Sequence, residues 1–160
     1  MRPAFLLAGL GVMAALIGGF LWFTRGSHIQ IKGEVLKVRT HAFSDGSSLA
    51  VVDFRFANPA DFPFLVRSVD LILETADGKT LNGMMVAETD AKRMFEGMPE
   101  LGQKYNETLK TRDKIPPHSQ DDRMVAARFE TSIDVLEQRK RLRIRAEEVD
   151  GAVSEVVENR

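Results

Sequence analysis

The 160-residue chain contains no cysteine, and this absence excludes several kinds of chemistry at once. Without a thiol the protein cannot form a disulfide framework, use a cysteine nucleophile, or hold zinc or an iron–sulfur cluster through thiolates. The chain also lacks a dominant charge, because 22 Lys and Arg balance 23 Asp and Glu. Such a balance leaves no basic footprint for nucleic acid and does not fit a disordered, highly charged tail. The length suits one ordinary domain with an appendage.

The appendage is an apolar run near the N-terminus. Residues 3–23 read PAFLLAGLGVMAALIGGFLWF and contain no charged or amide side chain. At ~1.5 Å per residue, a helix of this length crosses a hydrocarbon core of ~30 Å. Arg2 and Arg25 bracket the run, and Trp22 lies near one end, where an indole prefers the headgroup level. The pattern predicts a single transmembrane helix and assigns residues 1–25 to a membrane anchor.

Two alternatives to an anchor are a cleaved signal peptide and a buried helix of a soluble protein. A signal peptide has a shorter apolar core of ~7–15 residues and a small-x-small cleavage site. The residues after the run, 24–27, read TRGS and offer no such site. We therefore expect an uncleaved signal anchor, with the domain of residues 28–160 outside the cytoplasm, as in a periplasmic single-pass membrane protein. One Arg on each side of the run gives only a weak signal for this orientation.

Beyond the anchor, apolar and polar side chains alternate in several short runs, which is the pattern of half-buried strands. The clearest run is 49–57, with Phe54 on the face predicted to be buried. Residues 29–40 predict a long strand with a bulge at Gly33-Glu34, where the alternation changes parity. Further strands are predicted at 65–75, 80–86, 124–130, 141–146 and 148–157.

Two segments change to helical spacing. Residues 88–101 place apolar side chains three and four positions apart, and residues 131–138 begin with a capping-box-like sequence. Six or seven short strands with one or two helical insertions predict a mainly β fold. The expected architecture is an immunoglobulin- or fibronectin-III-like β-sandwich.

The order of these motifs resembles that of the LEA14-like domains, also called WHy or late-embryogenesis-abundant type 2 domains. The shared features are a strand ending in Asn-Pro, a second proline, an aliphatic strand with an Asp-Gly turn, and a later proline turn before a strand. In this chain they are residues 52–59, Pro63, residues 69–73 with Asp77-Gly78, and residues 115–119. The resemblance implies an immunoglobulin- or fibronectin-III-like sandwich, often membrane-tethered and without catalytic residues.

The residues that usually carry chemistry are dispersed along the chain. His28, His41 and His118 lack the spacing of a metal-binding pair, and no serine lies in a Gly-x-Ser-x-Gly elbow. The glycines form no loop suited to cradling a phosphate. We therefore expect no catalytic residue, no metal site and no cofactor, and we predict that the protein is not an enzyme.

The strongest local charge pattern is the alternation of Arg141, Arg143 and Arg145 with apolar residues. On a strand these three side chains share one face and could contact an acidic partner or lipid headgroups. Alternatively, they form the solvated face of a strand and lie opposite Asp and Glu on a neighbouring strand. The second interpretation is the favoured one.

A second candidate surface lies near the predicted helix. Met84, Met94, Phe95 and Met98 could line a pocket for a lipid or another small hydrophobic ligand, although filling the core is the favoured role. Two functions therefore remain open. One is a non-enzymatic, membrane-anchored module for protein interaction or for envelope or stress protection, and the other is a carrier or sensor of a hydrophobic ligand. No motif in the sequence identifies the protein or lipid partner.

Overall fold

The computed structural model describes residues 31–159 together with Met13, Ile17 and Gly18. Apart from those three positions, the predicted anchor over residues 1–25 lies outside the described residues. Within the described part of the chain, no helix combines the length and apolar character needed to cross a bilayer.

The described chain is mainly β, as predicted, and its helices are few and short. The strands are β1 (Lys32–Ala42), β2 (Ser48–Asn58), β3 (Phe64–Glu74), β4 (Thr80–Asn82), β5 (Met84–Met85), β6 (Glu107–Thr108), β7 (Lys114–Ile115), β8 (Ser119–Phe129), β9 (Arg141–Glu148) and β10 (Val153–Val157). The helices are α1 (Glu88–Gly97), a 3₁₀ turn (Pro99–Leu101) and α2 (Ile133–Glu137).

The strands form two sheets. The first has the order β1-β2-β8-β5, and β6 lies alongside β8; the second has the order β10-β9-β3-β4, and β7 lies alongside β3. All pairings are antiparallel except that of β6 with β8. Tight turns join β1 to β2 and β9 to β10, as the glycine-containing turn sequences predict.

One hydrophobic core lies between the two sheets. From the first sheet, Phe54 and Phe56 are each 1% exposed and pack in the same cluster as Leu71 and Ile144 of the second. Alternate residues of each strand point into this layer, because successive side chains of a strand face opposite ways. Each fully buried side chain of this size contributes about 1.5–3 kcal/mol, so the inner faces supply most of the hydrophobic stabilisation.

The outer face of the first sheet is also covered. Helix α1 and the 3₁₀ turn place Ala91 and Leu101 against Leu49 and Val51 of β2, and all four side chains are buried. The alternation at 49–57 predicted a half-buried strand, and that prediction was wrong. The strand is buried on both faces because an amphipathic helix from a later part of the chain packs on the second one.

Three other sequence-based expectations also need correction. The return strand predicted at 80–86 is divided at Gly83, so that β4 joins the second sheet and β5 the first. A Cβ at Gly83 would lie 2.6 Å from the Cβ of Ala127, so only glycine fits at this crossing. The bulge in β1 lies between Val35 and Lys37 and not at Gly33-Glu34. Ser132 caps α2 by position but makes no side-chain capping hydrogen bond.

Candidate functional site

An open cleft of about 750 Å³ lies between α1 and residues 102–107, and we call it the helix cleft. Its volume is within the range of typical ligand sites. The residues that line it are Glu88, Thr89, Lys92, Phe95, Glu96, Gly102, Gln103, Lys104, Tyr105, Asn106 and Glu107. One wall is therefore a helix and the other an irregular segment, which has to be held in place by contacts with the sheet beneath it.

A buried ion pair provides those contacts. Nη2 of Arg39 on β1 lies 2.6 Å from Oδ2 of Asp53 on β2, and both side chains are nearly inaccessible to solvent. Nη1 of Arg39 donates to the carbonyl oxygens of Leu101 and Gln103, each at 2.8 Å. The side-chain amide of Asn106 donates to Oδ1 of Asp53 at 2.9 Å. The irregular wall of the helix cleft is thus tied to the outer face of the first sheet at Gln103 and Asn106, and the 3₁₀ turn before it is tied at Leu101.

Two aromatic rings lie beside this ion pair. The guanidinium carbon of Arg39 is 4.9 Å from the ring centroid of Phe95 and 5.6 Å from that of Tyr105. Nζ of Lys37 lies 5.7 Å from the same Tyr105 centroid. Cations at such distances are attracted to the ring faces. Although held in this way, Tyr105 remains 64% exposed, so the aromatic surface is available at the cleft.

The rim of the helix cleft carries charges of both signs. Nζ of Lys110 lies 2.6 Å from Oε2 of Glu88, and Nζ of Lys104 lies 3.2 Å from Oε2 of Glu107. The hydrogen bond from Lys110 and its positive charge lower the pKa of Glu88. Glu88 therefore remains negatively charged into mildly acidic solution, and the rim keeps its alternating charges.

The lining of the helix cleft is mixed in chemical character. It combines aromatic, lysine and glutamate side chains and includes neither a histidine nor a serine. A side chain acts as a nucleophile, acid or base only when it is positioned against a substrate and its pKa suits the task. Among the charged residues that line this cleft, Glu88 is paired with Lys110, and Lys104 is paired with Glu107.

The structure separates Met84 from the other three residues predicted to line an apolar pocket. Met94, Phe95 and Met98 pack against the buried cluster on the outer face of the first sheet, and Phe95 also lines the helix cleft. Met84 lies on β5 and is 67% exposed. Because the two helical methionines fill the space between α1 and the sheet, only Phe95 of this set contributes to the cleft.

The three candidate arginines lie on β9, which runs between β10 and β3 in the second sheet. Nε of Arg141 lies 2.9 Å from Oε2 of Glu74, and Nη1 of Arg143 lies 3.6 Å from Oε2 of Glu155. Arg145 is in register with Asp70 on one side and Glu155 on the other. Both neighbouring strands thus present carboxylates to the arginine strand, and Arg141 and Arg143 contact them directly.

The two described histidines lie at opposite ends of the first sheet. Nδ1 of His41 is 3.0 Å from Oε1 of Glu100, and Nε2 of His118 is 2.9 Å from Oδ1 of Asp61. His28 lies outside the described residues. Within the part of the chain that the structure describes, no three His, Asp or Glu side chains converge as a metal site requires.

Neither Arg39 nor Tyr105 stood out in the sequence as a functional residue. Arg39 occupies one position of a long predicted strand, and its partner Asp53 occupies another, so each alone is typical of a solvated strand face. The available signal was the pair of opposite charges on two neighbouring predicted strands. Tyr105 is the only tyrosine of the chain and lies in a polar segment without clear periodicity.

Comparison of the chain with protein-family profiles, with curated proteins and with solved structures finds no match.

Proposed function

We propose that the protein is a membrane-anchored, non-enzymatic module that binds an extended segment of another protein in the helix cleft. Its two sheets would form an immunoglobulin- or fibronectin-III-like sandwich of the LEA14-like type, held outside the cytoplasm by residues 3–23. The shared core between two sheets supports the sandwich, and the apolar run supports the anchor. The observation that carries the binding role is the helix cleft, with Phe95 and Tyr105 beside a rim of alternating charge.

The rim favours a protein segment over a lipid. Lys92, Lys104, Glu88, Glu96 and Glu107 all line the cleft, and it is open to solvent along its length. A lipid chain is bound best in an enclosed, mainly apolar cavity, where its whole surface leaves water. An extended peptide instead offers backbone groups and side chains of both signs, which can pair with such a rim while one apolar side chain contacts the rings.

Site-specific crosslinking in cells tests this proposal. A photoreactive phenylalanine analogue replaces Tyr105 in the full chain, and the same analogue replaces Met84 as a control at another exposed position. We expect a discrete protein adduct from position 105 and none of the same mass from position 84. Thr89→Trp should abolish the adduct because it fills the cleft, whereas Arg93→Trp, on the same helix but outside the lining, should leave it unchanged.

Mass spectrometry of the adduct distinguishes the two functions that the sequence left open. A peptide from another protein, lost in Thr89→Trp and kept in Arg93→Trp, would support the interaction module. A lipid adduct with the same dependence would favour the carrier or sensor. An adduct that is insensitive to Thr89→Trp would mean that the helix cleft is not the binding site.

A further inference from the structure

We propose that the end of the domain where the chain enters β1 rests on the bilayer surface and inserts Phe62 and Val149 at the level of the headgroups. We call it the entry end and define it by Ile31, the loop 59–63, the turn 116–118 and the loop 149–152. This inference rests on the membrane anchor proposed above, and it adds a second contact between protein and lipid that the anchor alone does not require.

Strand register brings these segments together. Lys32 at the start of β1 is opposite Ala57 near the end of β2, and Asn58 is opposite Ser119 at the start of β8. In the second sheet, the start of β3 lies beside the end of β9, since Val66 is opposite Glu148. The loops that follow β2 and β9 therefore project from the same end of both sheets as the entering chain.

The entry end exposes apolar side chains that a solvated loop does not need. Phe62 is 57% exposed and Val149 is 56% exposed. Leu65 and Val153 are each 38% exposed, and the backbones of Val149 and Leu65 are joined by a hydrogen bond from the Val149 N–H to the Leu65 carbonyl at 3.1 Å. A cluster of exposed apolar side chains on one surface of a domain is typical of a contact with membrane or protein.

The loop that carries Phe62 is held rigidly by Asn58. The side-chain amide of Asn58 donates to the carbonyl oxygens of Phe62 at 2.8 Å and of Pro116 at 3.1 Å, and its oxygen accepts from the N–H of Ala60 at 3.1 Å. Asn58 is itself 1% exposed. A buried amide thus fixes two loops of the entry end at once, and an exposed phenylalanine on a fixed loop loses little further entropy on insertion.

The short connection between the membrane anchor and β1, residues 24–30, favours a lipid surface as the binding partner of the entry end. Ile31 is buried, and its N–H donates to Oγ of Ser154 at 2.9 Å. The position at which the chain joins the folded domain is therefore fixed at this end. Seven residues, 24–30, separate Ile31 from the apolar run. Fully extended they span at most about 25 Å, at ~3.3–3.6 Å each. A membrane anchor on so short a tether keeps the entry end, and no other end of the domain, beside the bilayer.

The charges around the apolar cluster are mixed. Arg67 pairs with Glu147 at 3.1 Å, and His118 pairs with Asp61 at 2.9 Å, while Lys114 is exposed next to Leu65. Such a surface has no strong attraction to anionic lipid, so the contact should depend on apolar insertion. Added salt should therefore weaken it little.

The absence of cysteine makes a direct test practical, because one introduced thiol is the only labelling site. Phe62→Cys and Val149→Cys report on the entry end, and Met84→Cys and Val135→Cys are matched exposed positions at the opposite end. Each full-length variant carries an environment-sensitive fluorophore and is reconstituted in neutral phosphatidylcholine vesicles that contain lipids spin-labelled near the headgroup. Circular dichroism checks that each variant keeps the wild-type fold.

We expect spin-labelled lipid to quench the probes at positions 62 and 149 at least about twofold more than those at positions 84 and 135, since interfacial side chains lie within ~5–10 Å of the headgroups. Equal quenching at all four positions, with the protein retained after alkaline carbonate extraction, would overturn both the contact and the placement of the entry end beside the bilayer, and would leave the anchor intact. Extraction of the protein by carbonate would overturn both proposals. A probe whose emission is blue-shifted but not quenched, and whose shift is lost when the protein is diluted in lipid, would overturn the lipid contact. It would show that this surface contacts a second copy of the chain.

Discussion

Among single residues, Arg39 and Asp53 depend on each other as the two members of a buried ion pair. Replacing one member of a buried ion pair costs about 3–5 kcal/mol, because the other charge is left without compensation. We expect Arg39→Met to lower the free energy of unfolding by about this amount and to release the wall at residues 101–106. The double variant Arg39→Met with Asp53→Leu should be much less destabilised, since both charges are removed. Urea titration followed by circular dichroism measures both, and equal losses would contradict the assigned pairing.

Asn58 has a comparable role at the entry end, through hydrogen bonds in place of charge. Each such bond contributes about 0.5–1.5 kcal/mol net, so Asn58→Ala should cost about 2–4 kcal/mol. Asn58→Asp should be no better, because its second oxygen would face the carbonyl oxygens that the amide now satisfies. Asn82→Ala, at an exposed position, is the control and should change stability by less than about 0.5 kcal/mol. A tolerant Asn58 would show that the two loops are held by other contacts.

At the scale of elements, β9 decides between the two interpretations of the arginine strand. Reversing Arg141, Arg143 and Arg145 to Glu places like charges opposite Glu74, Asp70 and Glu155. We expect a lower thermal midpoint and unchanged crosslinking at the helix cleft. In the single variant Arg141→Glu, the additional change Glu74→Gln should recover part of the loss, because it removes the like-charge contact while the amide oxygen can still accept from Lys140. An unchanged midpoint together with a lost partner would instead assign the strand to recognition.

The same pair of strands predicts a response to acid. The hydrogen bond from Lys140, with the charge of Arg141, lowers the pKa of Glu74 below its ordinary value of 4.5. A depressed pKa in the folded state stabilises the fold above pH 4.5, and this stabilisation is lost as the pH falls through the folded value. The stability difference between the wild type and Glu74→Gln should therefore be constant near neutral pH and shrink in acid. A difference that grows on acidification would reverse the assigned sign.

Elements differ in how far local pattern determines them. The inward face of β2 follows from alternation, and Phe54 lies where that pattern places it. Burial of the opposite face does not, because it depends on α1 packing from 40 positions further along the chain. The division of the predicted strand at Gly83 does not follow from local pattern for the same reason. The need for glycine arises from the close approach of Ala127 and Phe129, which are distant in sequence. The helix cleft cannot be predicted from local pattern either, since its walls are brought together by tertiary contacts.

For the whole molecule, the core shared by both sheets predicts that residues 28–160 fold without the apolar run. Expressed alone, they should give a monomer with a β-type circular dichroism spectrum and one cooperative thermal transition that chelators do not shift. Analytical ultracentrifugation and calorimetry, with and without chelator, measure these properties. The intact chain in detergent is the matched comparison and should show the same transition. A spectrum dominated by helix, or a transition that depends on metal, would contradict the prediction.

The position of Arg39 on β1 also has a mechanical consequence. The tether continues into β1, and Arg39 lies seven residues beyond Lys32, about 23 Å along the strand at ~3.3 Å per residue. From there, its guanidinium donates to the carbonyl oxygens of Leu101 and Gln103 beside the helix cleft. Part of any tension between a membrane and a segment bound in that cleft would therefore run through β1 and this guanidinium. It would load β1 in shear against β2, where many backbone hydrogen bonds must break together, and it would also load the hydrogen bond from Ile31 to Ser154 on β10.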